Sequence, residues 1–165
     1  MLLGFAASLV VVGCMDAVTG SPCTPMAWTV ESTSVDTAIT NRGLRYINGD
    51  SGVYGAVDWC GTVRVHYDGY LLDGTLFDSS RPLGIPLIFS PGAGVLIDGF
   101  EQGVVGVREC GTRRLIIPPQ LGWGNAPVQN DSGDVIVPPN STVVFDIQVI
   151  EIANQPFVDC DTLGP

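Results

Sequence analysis

The chain has 165 residues, 45% of them hydrophobic, with 21 glycines and 12 prolines. That length holds one core of ordinary size plus tails, and so much glycine and proline favours a turn-rich β protein over a helical bundle. The seven basic residues, all arginine, face 17 acidic ones for a formal net charge of −10, a balance that repels phosphate backbones and argues against nucleic acid as a partner.

The chain opens with "MLLGFAASLVVVGC", apolar from Leu2 to Val12. This run is shorter than the roughly 20 residues a bilayer span requires and has the length of an export-signal core. Its end, "VVGC", resembles the lipobox of bacterial lipoproteins, although no positive segment precedes Leu2. The resemblance implies a signal peptide over 1–13, lipidation of Cys14 and contact with a membrane only through that lipid. The protein would then sit in a bacterial cell envelope or periplasm. An ordinary cleaved signal, with Cys14 incidental, is the alternative. With Cys14 set aside, Cys23, Cys60, Cys110 and Cys160 form an even set, which in an oxidising compartment predicts two disulfides with three possible connectivities. There is no CxxC pair and a single histidine, so no metal site and no cofactor are expected.

Residues 14–42 are rich in Thr, Ser and Pro without a sustained period and read as a tether, with a short ordered piece around Trp28. From Gly43 the pattern is β. "GLRYI" alternates, and "GTVRVHYDGYLL" places Val63, Val65 and Tyr67 on one face with Arg64 and His66 on the other. The loop Leu72-Asp73-Gly74 admits two registers. A two-residue turn pairs Tyr70 with Phe77; a three-residue loop with Gly74 left-handed pairs Gly69 with Phe77 and brings Phe77 onto the face of Tyr67. A proline-punctuated crossing follows, with a short strand near Leu87 to Phe89.

"VLIDGFEQGVVGV" is the one convincing helix. Asp98 with Glu101 three residues on looks like a capping box, and Ile97, Phe100, Val104 and Val107 form an apolar stripe. Gly99, Gly103 and Gly106 each cost about 1 kcal/mol of helix propensity, which suits a helix lying very close against a sheet. "RRLIIPP" is a strand halted by Pro118 and Pro119. A long loop carries Trp123, and "STVVFDIQVIEI" is a strand with Val143, Phe145, Ile147 and Val149 on an apolar face. One helix against about five antiparallel strands predicts an α+β fold. Ser79 and Ser80 lack a GxSxG context and a partnering histidine, which argues against a hydrolase.

The segments "VRVHYDGYLLDGTLFDSS", "VLIDGFEQGVVGV", "GTRRLIIPPQLGWG" and "VPPNSTVVFDIQVIEI", in this order, resemble the FKBP-type peptidyl-prolyl cis-trans isomerases. The resemblance implies a domain over 43–152, an FKBP-like curved antiparallel sheet wrapped around one short helix, and a C-terminal extension over 153–165. It implies a pocket between helix and sheet with Tyr67, Phe77, Asp78, Ile97, Trp123 and Phe145 as catalytic residues. Leu87, Leu96, Phe100 and Ile136 would bind substrate, and His66 would face away.

The implied ligands are proline-containing unfolded or partly folded polypeptides and macrolide inhibitors of the FKBP type. The implied reaction is rotation about an X-Pro bond, which needs no nucleophile. A non-catalytic peptide-binding or chaperone module on the same fold is the alternative. Departures from the family pattern are Phe100 at a position usually tryptophan, Trp123 at a tyrosine position and Leu87 at an aromatic one. Arg81 is the nearest cation able to fix the rim carboxylate of Asp78. In the family sheet the strands after Cys60 and Cys110 start at the same end, which implies a Cys60–Cys110 bridge and leaves Cys23 for Cys160.

Overall fold

The structure is a computed structural model that describes Cys23, residues 37–59 and residues 61–153. Cys14, Cys60, Cys160 and Trp28, with the expected signal, lie outside the described residues. The expected antiparallel sheet around one helix is present. In chain order it comprises β1 (Thr37–Ile39), β2 (Arg45–Asn48), β3 (Thr62–Leu71), β4 (Leu76–Ser79), β5 (Leu87–Phe89), α1 (Asp98–Val104), β6 (Thr112–Ile117) and β9 (Val143–Ala153). A 3-10 turn (Pro119–Leu121) and a separate hairpin of β7 (Val128–Gln129) and β8 (Val135–Val137) lie between the last two. Among the described residues the main sheet has seven strands against about five expected, in the order β1-β2-β6-β9-β3-β4, with β5 also on β3. The additional strands are short: β1 falls within the stretch read as tether, and β4 and β5 share one edge of β3.

β9 is the centre of the sheet, paired along β3 on one side and β6 on the other. Val143, Phe145, Ile147 and Val149 are buried on its concave face as their alternation requires, and Asp146 and Gln148 are buried as well. These polar side chains are satisfied. Arg114 forks onto Asp146 at 2.6 and 2.7 Å, and that bond holds the guanidinium above its ordinary range despite burial. Arg81 donates to Asp68 at 2.8 Å and to Gln148 at 3.3 Å. Arg81 therefore serves Asp68 on β3 rather than Asp78. His66 lies 3.0 Å from Ser80 Oγ, which also accepts the Tyr67 N–H at 2.9 Å. Ser80 thus does have a histidine partner, but both side chains are buried and neither lines the cleft described below.

The expected stripe is buried at Phe100 and Val104 on α1 and at Val107 beyond it, with Ile97 at the N-cap partly buried; the helix itself ends at Val104, before Gly106 turns left-handed (φ +81). Its glycines explain the closeness: a Cβ on Gly103 would stand 2.4 Å from Leu115, and one on Gly99 would stand 2.5 Å from Ile117. Arg113 of β6 then closes the far end. It donates to the carbonyls of Gly103 and Val105 at 2.8 and 2.9 Å, to Asn48 at 2.8 Å, and lies 4.3 Å from the Tyr46 ring centre. Burial lowers its pKa, and these acceptors and the ring face compensate the charge. Gly103→Ala should destabilise the fold by about 1–3 kcal/mol through overpacking, measured by urea unfolding; a neutral result would mean that the helix can lift freely from the sheet.

The disulfide differs from the expectation. Cys23 joins Cys110, with Cα atoms 5.0 Å apart. β9 separates β3 from β6, so the starts of those strands lie two spacings apart, about 10 Å, beyond a bridge's reach. Cys110 instead takes a left-handed backbone (φ 63) just before β6, and its partner comes from the N-terminal side of the chain. The pairing of Cys23 with Cys160 falls with it.

Candidate active site

A cleft of about 700 Å³ opens between α1 and the concave face of the sheet. Each wall comes from a different element. β3 supplies Tyr67, β4 Phe77 and Asp78, β5 Leu87, the approach to α1 Leu96 and Ile97, α1 Phe100, the 3-10 turn's exit Trp123, β8 Ile136 and β9 Phe145. All ten residues expected at the pocket are brought together. Val95, Asp98, Gly122 and Val128 line it too and were not anticipated. Val95 and Asp98 flank Leu96 and Ile97 in sequence, so the neighbouring positions were the available signal. Val128, on β7, comes from a stretch that reads in sequence as a long loop without periodicity, and it carried no signal.

The aromatic rings form one cluster around Phe145. Its ring centre lies 5.1 Å from Phe100, 5.6 Å from Phe77, 5.9 Å from Tyr67 and 6.4 Å from Trp123, the first two edge-on. Edge-to-face contacts at such distances add about 0.5–1.5 kcal/mol each beyond area burial. Gly69 makes the cluster possible: a Cβ there would stand 2.8 Å from Phe145 and 2.9 Å from Phe77.

The β3–β4 hairpin differs in register from both expected alternatives. The three-residue loop is present, with Leu71 N–H donating to Thr75 and Gly74 at φ +87. A second irregularity follows, in which Tyr70 pairs with Leu76 and Gly69 with Asp78, leaving Phe77 as the extra residue. Successive residues of a regular strand point to opposite faces; at this bulge Phe77 and Asp78 both reach the cleft.

At the rim the Tyr67 hydroxyl donates to Asp78 Oδ2 at 2.7 Å. Burial first, then the hydrogen bond and the negative charge of Asp78, raise the Tyr67 pKa. The hydroxyl thus stays protonated as a donor throughout the neutral range. An unfolded tyrosine ionises near pH 10, so the stability this group contributes is whole below that pH and is lost as pH climbs toward its higher native pKa. Tyr67→Phe should remove part of the alkaline loss of stability expected as pH rises above about 9, the part from Tyr70, also raised, remaining. Below pH 9 the variant should lose about 1 kcal/mol for the hydrogen bond. An unaltered alkaline slope would contradict this assignment.

The helix start also differs. Ile97 is the N-cap with no side-chain cap, and Asp98 is the first helical residue. Asp98 pairs with Arg42 at 3.1 Å in an exposed bridge, worth about 0–1 kcal/mol. The Ile97 N–H has no partner among the described residues and sits at the helix N-terminus where donors are orphaned.

The sequence pattern of the FKBP-type peptidyl-prolyl cis-trans isomerases matches residues 60–150. The chain belongs to this family. It is 37% identical over 128 residues to the human peptidyl-prolyl cis-trans isomerase FKBP2, covering 72% of this chain and 84% of that one. With FK506-binding protein 2 of Dictyostelium discoideum it shares 46% over 90 residues, 54% of this chain and 64% of the relative. The crystal structure of AtFKBP13 aligns with a TM-score of 0.64 and 32% identity over 72% of this chain and all (100%) of the other. FkpA from Escherichia coli aligns at 0.63 and 33% identity, over 75% of this chain and 55% of that one. The chain thus spans most of the human relative's length and just under two thirds of the Dictyostelium one's.

Proposed function

We propose that the protein catalyses cis–trans isomerisation of X-Pro bonds in exported or lumenal polypeptides. The observation that carries this reading is the chemistry of the cleft lining: five aromatic rings with a Tyr–Asp pair at the rim, and no Ser, Thr, Cys, His or Lys among the lining residues. Its only ionisable side chains are Tyr67, whose hydroxyl is bonded to Asp78, and the carboxylates of Asp78 and Asp98, so the lining is built chiefly to bind and desolvate. Rotation about an amide faces a barrier of about 18–20 kcal/mol because resonance gives the C–N bond double-bond character, and unaided X-Pro exchange takes roughly tens to hundreds of seconds. Twisting destroys the resonance and much of the amide dipole. Water favours the planar, dipolar form, so a cavity that strips water away lowers the barrier to the twisted one.

In this reading Phe77, Phe100, Trp123 and Phe145 hold the proline ring, with Leu87, Leu96 and Ile136 as apolar walls. The Ile97 N–H donates to a substrate carbonyl, and Tyr67 with Asp78 orients the peptide at the rim. Asp78 is not a general base. The Cys23–Cys110 bridge and a relative named for a lumenal location in chloroplasts support an oxidising compartment. A lipid anchor at Cys14 is the finer form of this reading, tested by the mass of the mature N-terminus.

A protease-coupled assay on an X-Pro peptide tests the activity. Wild type should exceed the uncatalysed rate, and Phe77→Ala and Asp78→Ala should each lower kcat/KM by about tenfold or more, equivalent to about 1.4 kcal/mol. Peptide binding without acceleration would favour the non-catalytic module.

A further inference from the structure

Glu101 is buried, 5% exposed, on the first turns of α1. The reaction as described makes no use of it. Its local pattern with Asp98 suggests a capping box, yet its carboxylate leaves the helix altogether. Oε2 accepts the backbone N–H groups of Gly92 and Gly94 at 2.8 and 3.2 Å, and Oε1 accepts those of Val95 and Leu96 at 2.9 Å each. The lone-pair directions of an ionised carboxylate number about four, and all are used. Near-consecutive backbone N–H groups converging on one anion form a nest. Here the anion is a side chain of the same protein.

The loop held in this way is a wall of the cleft. Val95, Leu96, Ile97 and Asp98 line it in unbroken succession, and Ile97 carries the unpartnered N–H at the helix entrance. Val95 and Leu96 are both wall residues and direct partners of the carboxylate. The segment therefore depends on one buried charge for its shape, and a substrate meets that shape directly.

We infer that Glu101 is a positioning residue, whose buried carboxylate sets the 92–96 loop so that Leu96 and the Ile97 N–H meet the substrate amide in register. The inference deepens the isomerase reading and rests on it. Glu101→Gln is nearly isosteric but replaces one acceptor oxygen by an NH₂ group facing two backbone donors, so it opposes half of the clasp. A misplacement of about 1 Å can cost on the order of a hundredfold in rate, so the variant should lose about ten- to a hundredfold in kcat/KM.

The discriminating measurement is amide hydrogen exchange with assays run well below the melting temperature. Exchange at Gly92, Gly94, Val95 and Leu96, the donors to Glu101, should quicken while β6 and β9 keep their protection. A purely structural Glu101 would lower the melting temperature and leave the kinetics of the folded enzyme unchanged, which would overturn the inference. Unchanged exchange in the loop would overturn it as well. Should Glu101→Gln not fold, Gly94→Ala reports on the same loop: Gly94 has φ +69 with no atom within 4 Å of an added Cβ, so it strains the loop without touching the core. Kinetics unaffected by that strain would count against the inference. If wild type proves inactive, the functional reading fails on its own. The clasp is then judged by the exchange data and by affinity for a proline peptide, and a peptide bound equally by wild type and Glu101→Gln would overturn it.

Discussion

Phe145→Ala should destabilise the protein by about 3–5 kcal/mol, the range for deleting a buried aromatic side chain, and should abolish measurable isomerase activity. Phe145 is 4% exposed and meets four other rings, those of Tyr67, Phe77, Phe100 and Trp123. Truncation does more than vacate a volume. It removes the common neighbour against which Phe77 on β4 and Phe100 on α1 are both set edge-on, so the sheet and helix sides of the cleft lose their shared reference. Phe145→Leu keeps an apolar branch at the same place and should cost less in stability, while still lowering kcat/KM because the edge-to-face geometry is gone. Urea unfolding with the peptide assay separates the two losses. An alanine variant that is stable and active would mean the cluster is packing alone.

Removal of the Cys23–Cys110 bridge should be the second large effect. The two residues are 87 apart in sequence, and closing a loop of that order restricts the unfolded chain by an amount worth about 4–5 kcal/mol in the chain-entropy picture, with about 2–5 kcal/mol usual in practice. The double variant Cys23→Ser/Cys110→Ser should melt about 10 °C lower. Addition of a reductant should then shift the wild type far more than the double variant. The bridge also has a local role. Cys110 and Gly111 exchange backbone hydrogen bonds with Val149 at 2.9 and 3.0 Å, so the linked turn fastens onto the central strand, and hydrogen exchange there should quicken when the bond is cut. Equal melting temperatures with and without reductant would contradict this.

The fold could be read from the sequence because its signals are local: period-two runs in β3, β6 and β9, and one apolar helical stripe. The ten cleft residues followed from motifs whose order along the chain matched a family. What was not visible depended on distant partners. The Phe77 bulge is a one-residue departure inside a strand, set by how Phe77, Phe145 and Gly69 fit together across the sheet; a turn signal at Asp73-Gly74 fixes the loop and says nothing of the next pair. Glu101 satisfied a capping-box spacing, but the loop before the helix offered four donors where the N-cap offers one. Arg81 had two carboxylates within reach in sequence, Asp68 and Asp78, and the pleat decided for Asp68. Four cysteines leave three pairings open, and a Cys60–Cys110 bridge required the loops to curl inward across the width of a strand; Cys110 instead meets Cys23 from the N-terminal side.

The broken edge formed by β4 and β5 has a consequence for a protein whose work would bring it unfolded chains. An uninterrupted flank along the ten residues of β3 would offer a template on which an extended client could continue the sheet and aggregate. Here β4 covers Asp68 to Tyr70, β5 covers Val63 to Val65, and the chain between them carries Pro82 and Pro86. Proline donates no ladder hydrogen bond, so a visiting strand finds only pieces of three or four residues to pair with. Under the proposed function, a client chain would then be held by side chains in the hollow, from which it could leave, rather than zippered along the border, from which it could not.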